Sequence, residues 1–285
     1  MTTLAKLQQK IQRMETAAHC AHGETLPTGC EYLNPLLPGK GYLRGTIVEW
    51  LRRTEGSGAT LFSLKDALQA ASDGRALVIA DPQRRLNPPA LAALGANLTN
   101  TIVLRCGADS AELSDLCLND LYWAINQSLQ CPGVAAVWAD LKQIDPQWSR
   151  RFQLSAESSG CMGFFVRPDW TRHDPSWSHA RWLIQSVAGP ATNERAGLSQ
   201  LLSSQQRNFH IELVRCRGGA AGRKLTLSVN SSGTIRPVQE RHDDNKQFCD
   251  NKQHRDNNRN QVKTNSLPAV SPSERTKNHP SATGT

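Results

Sequence analysis

No stretch of this chain approaches the ~20 consecutive apolar residues that a helix needs to span a bilayer. The opening residues, MTTLAKLQQKIQRM, also lack the apolar centre of a secretory leader, so the expected location is the cytoplasm, with no membrane partner. Paired cysteines are missing too. The eight cysteines, at 20, 30, 106, 117, 131, 161, 216 and 249, include no C-x-x-C pair. The nearest approach to a metal cluster is His19-Cys20-x-His22 with Cys30 downstream; without paired ligands at regular spacing, no metal is expected. Cys106 follows TIVLR and Cys161 precedes MGFF, apolar surroundings that suit buried free thiols in a reducing compartment. Internal repeats are absent as well.

A large excess of one charge is also lacking. The net charge is +8, and residues 239–285 hold 8 Lys/Arg and 6 Asp/Glu, which leaves 25 and 19 for residues 1–238, a net of +6. A mildly basic body fits a nucleic acid or an acidic partner, and equally an ordinary solvated surface. The last 47 residues contain only 7 apolar side chains, too few to offset chain entropy, so this tail is expected to be disordered.

Elsewhere the apolar residues are patterned. Leu4, Leu7, Ile11 and Met14 recur at helical spacing with Lys, Gln and Arg between them. That short amphipathic helix either packs on its own domain or docks on a partner. A Gly/Pro-rich link, LPTGCEYLNPLLPGKGYLRG, follows. Then apolar strands alternate with helices: GTIVEWL, a helix TLFSLKDALQAA with Leu61, Leu64 and Leu68 on one face, RALVIAD, a helix PPALAALGA, NTIVLRC, a helix LSDLCLNDLYWAINQSLQ, GVAAVWAD and GCMGFFVRP. This alternation predicts an α/β fold with a mainly parallel sheet covered on both faces. From Ser178 the strands HARWLIQSVAG, NFHIELVRCRGG and RKLTLSVNSSG follow one another without helices, which predicts an antiparallel extension. The seven tryptophans fall mostly on strand or helix positions and are expected in the core rather than as base-stacking platforms.

Between the first strand and its helix lies RTEGSGATLFSL, residues 53–64. A phosphate-binding loop reads G-x-x-x-x-G-K-[ST] and cradles a triphosphate with backbone N–H groups and one lysine. Gly58 and Thr60 keep two of those positions, but Arg53 stands where the opening glycine belongs and Ala59 where the lysine belongs. Alanine supplies no charge to the β- and γ-phosphates. Glu55, Gly56, Ser57, Gly58, Ala59 and Thr60 retain backbone donors at a helix start, so ATP binding stays open although no cofactor is expected.

The lead-in to this loop resembles that of RecA-type recombinases, in Thr28-Gly29, Leu33, Leu37, the glycines at 39, 41 and 45, and Ile47-Val48-Glu49. By that resemblance Gln83, in QRRLNP after the second strand, holds the place of the catalytic glutamate, and Asp140 the acidic strand end that orients a magnesium shell. Within the superfamily the pattern is most similar to ImuA, the RecA-like accessory family of bacterial mutagenic translesion synthesis. The markers are LPTGC, GTIVEWL with a GSGA loop, ADPQ, MGFFVRP and ELVRCRGGAAGR. MGFFVRP is also similar to the end of SulA, the damage-induced division inhibitor, but this chain continues for about seventy further residues. The implied organisation is an N-terminal helix and linker in 1–24, a RecA-like core with a degenerate P-loop in 25–177, a β-rich extension in 178–238 and a disordered tail in 239–285.

A glutamine amide cannot accept the proton of an attacking water, so loop and strand together argue against hydrolysis. Without the lysine, Asp140 reads as a strand-end acid pairing locally, Gln83 as a turn residue after Pro82, and Arg167-Pro168 as a strand terminator with a solvated arginine. Arg215, Arg217, Arg223 and Lys224 surround a Gly-rich turn and read either as phosphate contacts or as surface charge. The expected function is a non-catalytic adaptor of damage-induced (SOS) translesion synthesis. The resemblance implies as partners an ImuB-like polymerase-related protein, RecA, an error-prone replicative-type polymerase and DNA. A SulA-like division inhibitor and a RecA-type DNA-dependent ATPase are the alternatives. Partner contacts are expected from the Leu4–Leu7–Ile11–Met14 stripe and from Arg215 to Lys224.

Overall fold

The apolar runs become strands, and nearly all of them join one sheet. The computed structural model describes residues 24–105, 115–187 and 206–238. Leu4, Leu7, Ile11, Met14, the cluster at 19–22, Cys106 and the 239–285 tail lie outside these residues. A two-stranded pair, β1 (Thr25–Leu26) and β2 (Tyr42–Leu43), brackets the lead-in segment. Nine strands follow in the main sheet: β3 (Ile47–Arg52), β4 (Ala76–Ala80), β5 (Thr101–Leu104), β6 (Val134–Asp140), β7 (Met162–Pro168), β8 (Ala180–Val187), β9 (Arg207–Cys216), β10 (Lys224–Val229) and β11 (Ile235–Pro237). Their order is β5-β4-β6-β7-β3-β8-β9-β10-β11. The first six run parallel. β9 is antiparallel to β8, β10 to β9 and β11 to β10.

Helices cover both faces, as a parallel sheet requires. On one face lie α1 (Ala59–Ala70) and α2 (Pro88–Ala93), with Phe62, Ala67 and Leu91 in a core that includes Val48, Trp50 and Trp182. On the other, α3 (Asp115–Gln130) and α4 (Pro146–Ser159) pack Leu121, Ile125, Phe152 and Ala156 against Ile47, Val137 and Phe165. The chain is thus α/β, a large and mostly parallel mixed sheet flanked by helices, compatible with a Rossmann-like or RecA-like core. Among the described residues no helix is long and apolar enough to cross a membrane.

Local chemistry sets the helix ends. Asn87 caps α2 by accepting from the Ala90 N–H, and the prolines at 88 and 89 occupy a first turn whose N–H groups have no helical partner. Asp145 does the same for α4 through the Gln147 N–H at 2.7 Å, and Gly160, at φ 72°, ends it.

The structure differs from the sequence expectations at four places. β8 was expected in an antiparallel extension; it is parallel to β3 and pairs with it from Val48–Ala180 to Arg52–Ile184. The sheet reverses only at β9. Helix α4 was not expected at all. In α1 the buried face is Ala59, Phe62, Ser63, Leu64, Asp66, Ala67 and Ala70, with Leu61 and Leu68 at its margins. Three of the seven tryptophans, at 123, 170 and 177, are exposed rather than in the core.

The lead-in segment is fastened to α1 through Asp66, which is buried in the helix. Its carboxylate accepts the Gly29 N–H at 2.8 Å, the Tyr42 hydroxyl at 2.8 Å and the Trp50 indole N–H at 3.1 Å. The Trp182 indole N–H donates in turn to the Tyr42 oxygen at 2.9 Å, and Trp50 lies between Phe62 and Trp182, at centroid distances of 5.9 and 5.6 Å. Burial pushes the Asp66 carboxyl up to about 7, against the pull of its three donors. Its folded pKa therefore exceeds the unfolded value, so its contribution to stability is complete below pH ~4 and is lost as pH rises through about 7. Unfolding free energy should fall between pH 4 and 7 with a component approaching ~1.4 kcal/mol per pH unit. Subtracting the profile of Asp66→Asn from that of the wild type isolates it. Parallel profiles would show that Asp66 is charged throughout.

Candidate functional site

The carboxyl ends of β3, β4 and β6 open into a cleft of about 960 Å³, the position where open parallel sheets bind ligands. One wall is the loop Thr54–Gly58 with the first turn of α1. A second is the turn from Asp81 to Asn87, the third is Trp138 and Asp140 on β6, and the fourth is Phe209 on β9 with Val229 at the end of β10 and Asn230 and Ser231 beyond it. Glu55, Gly56, Ser57, Gly58, Ala59, Thr60, Gln83 and Asp140 all line it.

The loop is shaped by its glycines and by β8. Gly56 and Gly58 have φ of 73° and 91°, a region open to glycine at no cost. Gly58 precedes α1, and no side chain caps the helix there. A Cβ on Gly58 would meet the Phe209 ring at 2.7 Å, so β9 closes against the base of the loop. Arg53 is held outward: its N–H donates to the Ile184 carbonyl at 3.3 Å and its guanidinium to Gln185 at 2.8 Å. Ala59 is buried in the core, while Thr60 is exposed.

Asp140 is engaged by a cation. Arg52, the last residue of β3, reaches across the end of β7 and donates to the Asp140 carboxylate, with Glu55 3.6 Å away as a second, more exposed partner. Gln83 sits at the rim on a turn organised by a different acid. Asp81 accepts the N–H groups of Arg85 and Leu86 at 2.8 and 3.0 Å, and Arg84 takes φ 54°. These residues do not fit a hydrolysing magnesium–ATP site. Asp140 is neutralised by Arg52, no ammonium lies at position 59, and Gln83 offers no base.

The basic residues around the glycine turn lie away from the cleft. Arg215 donates to the Ser176 carbonyl at 2.9 Å, Arg223 to the Pro35 carbonyl at 3.0 Å, and Lys224 pairs with Glu212 at 3.7 Å. Arg217 sits 5.7 Å from the centroid of the Trp177 ring. A Cβ on Gly219 would meet Pro38 at 3.0 Å, so CRGG packs the end of β9 against the lead-in segment.

Sequence reasoning missed the charged centre beside β3. Arg167 was expected to be solvated; it is 1% exposed, paired with Glu49 at 3.4 Å and with Asp174 at 3.2 Å. Glu49, itself 1% exposed, also accepts from Arg181 and from the Ser176 hydroxyl at 2.7 Å. Arg181 donates further to the carbonyls of Arg172 and Asp174. The cleft residues Arg52, Asp81, Phe209 and Asn230 were missed as well, since nothing local in the sequence joins β9 and β10 to the loop. The buried thiols Cys161 and Cys216 are pushed up to about 12 by burial, which leaves them protonated and unreactive near neutrality.

No protein-family model and no curated protein sequence matches this chain.

Proposed function

We propose that the chain is a non-catalytic adaptor with a RecA-like core, similar to ImuA, acting in damage-induced (SOS) error-prone translesion DNA synthesis. In this reading it joins an ImuB-like polymerase-related protein and an error-prone replicative-type polymerase to RecA or its DNA. The observation that supports the reading is that Ala59, Gln83 and Asp140, the three positions where the sequence departs from the ATPase pattern it resembles or pairs locally, line one cleft, with Asp140 tied to Arg52. A cleft of this size can still hold a ligand through the backbone donors of residues 55–60, but it offers no group to activate water.

Phosphate release from ATP is expected at the background rate, with or without single-stranded DNA. Turnover that vanishes in Asp140→Asn would overturn the non-catalytic reading. The partners are tested by co-purification of the full chain from DNA-damaged cells, with and without ATP. Recovery of RecA and the bypass polymerases irrespective of nucleotide supports the adaptor. Recovery of the division GTPase instead would move the protein to the SulA-like class.

A further inference from the structure

The cleft at the carboxyl ends of β3, β4 and β6 has two unlike halves. One is polar and is formed by the start of α1. Gly58 opens that helix with no side-chain cap, and the first helical bond runs from the Phe62 N–H to the Gly58 carbonyl at 3.1 Å. The N–H groups of Ala59, Thr60 and Leu61 therefore have no partner within the helix, and all three residues line the cleft. Ser57 joins them on the wall. It is only 2% exposed, and among the described residues its hydroxyl has no hydrogen-bond partner; its backbone N–H donates to the Thr54 carbonyl at 3.2 Å. Asp140 Oδ1 is also buried and unbonded, while the other oxygen of that carboxylate accepts from Arg52. Buried polar atoms of this kind are costly unless something binds them. The other half of the cleft is apolar, lined by Leu64, Leu86, Leu91, Leu94 and Trp138.

A ligand that fits must supply an anion for the helix start and Ser57, a donor for Asp140, and an apolar group for the leucines. The positive charge on offer is small. The α1 dipole contributes about half an elementary charge. Among the described residues no lysine lines the cleft, and Arg52 is taken up by Asp140 and Glu55. This suits one carboxylate better than the several charges of a triphosphate. Arg85 and Arg207 are exposed at the cleft, with no carboxylate partner among the described residues, and give it a positive rim that draws an anion in. A protein C-terminus carries all three groups: a carboxylate, the N–H of its last peptide bond, and a side chain beside them. We infer that the cleft receives the C-terminal carboxylate of a partner protein whose last residue is aliphatic. The carboxylate takes the N–H groups of residues 59–61 and the Ser57 hydroxyl, a backbone nest of the kind that captures chain termini. The last side chain fills the leucine-lined half, and a cleft of about 960 Å³ admits the terminal few residues. The inference deepens the adaptor reading by naming what the cleft receives, and it rests on the non-catalytic part of that reading.

The test passes two pools of hexapeptides, randomised at their last four positions, over the immobilised full chain and reads the retained peptides by mass spectrometry. One pool ends in free carboxylates and the other in amides. The free-acid pool should be retained about tenfold above the amide pool, the ratio expected for about one charge-assisted hydrogen bond. Leu, Ile or Val should be enriched at its last position. Thr60→Glu places a negative charge in the first turn of α1, which favours the helix and repels a carboxylate. Retention should vanish in this variant with the melting temperature kept. Ser57→Ala should weaken a selected peptide by about tenfold, and Leu94→Asp should erase the aliphatic preference. Arg236→Gln, at an exposed position on β11, should match the wild type, and thermal melts verify folding of each variant. Equal retention of the two pools, retention by Thr60→Glu, or no retention by the wild type would each overturn the inference. So would retention of radiolabelled ATP in place of peptide, which would make the cleft a nucleotide site. ATP turnover in the phosphate-release assay would sink the non-catalytic reading whatever the pools show. Absence of turnover together with equal pools would sink this contact alone and leave the adaptor standing.

Discussion

Replacing Glu49 with alanine is expected to remove about 3–5 kcal/mol of stability, the cost of leaving buried charge without its counter-charge. The side chain lies on β3 beneath the segment 169–176, and it is the shared acceptor for Arg167, Arg181 and Ser176. Both arginines are nearly sealed from water, at 1% and 3% exposure. Without Glu49, two guanidinium groups face each other in a low-dielectric interior with only Asp174 and two backbone carbonyls to answer them. The loss corresponds to a fall in melting temperature of roughly 6–20 °C for a domain of this size. Glu24→Ala is the matched control. Glu24 is 74% exposed and Arg44 keeps Asp73 as a second partner, so its removal should cost less than about 1 kcal/mol. Urea unfolding of both variants measures the contrast, and equal losses would show that water reaches the Glu49 site.

Gly29→Ala should be nearly as damaging, with a loss of more than about 3 kcal/mol. A methyl group there would sit 2.2 Å from the Lys65 carbonyl carbon, 2.3 Å from its oxygen and 2.6 Å from the Asp66 nitrogen. These are backbone atoms of α1, so no rotamer change relieves the contact. The lead-in segment would have to lift away, breaking the Gly29 N–H bond to Asp66 and leaving a buried carboxylate with one donor fewer. Gly56→Ala offers the comparison. Its φ is positive, at 73°, unlike that of Gly29, but no atom lies within 4 Å of the added methyl, so only the backbone penalty of ~1–2 kcal/mol applies. Should the two glycines respond alike in a denaturant titration, the packing of lead-in on helix is looser than described.

The contrast between these two glycines shows what the sequence can and cannot carry. Thr28-Gly29 stood out as part of a resemblance, but its physical reason, a helix backbone 37 residues away, is visible only in three dimensions. The strands were legible because parallel strands buried on both faces are nearly continuous apolar runs. Helix α4 was not, because its apolar stripe is only Trp148, Phe152 and Ala156, while Ser149, Gln153 and Ser155 are buried as polar residues. Its Asp145-Pro146 start and Gly160 stop were the available signal. The direction of β8 escaped because periodicity is the same for parallel and antiparallel neighbours. The length of the 169–179 connection, enough to cross back over β3, was the clue. Arg167 escaped because its partner Glu49 lies 118 residues earlier. The glycines and Ala59 of the loop could be read directly, whereas Arg52 on Asp140 could not, the two being 88 residues apart.

The position of β3 also sets a timetable for the nascent chain. Both of its sheet neighbours, β7 and β8, are encoded far downstream, and Glu49 must wait 118 and 132 residues for Arg167 and Arg181. At ribosomal rates of ~5–20 residues per second that interval is roughly 6–26 s, during which an apolar strand carrying an uncompensated glutamate has no partner on either side. A stalled or prematurely terminated message ending before residue 180 would therefore yield a chain with an unpaired sheet edge, a natural substrate for chaperones and proteases.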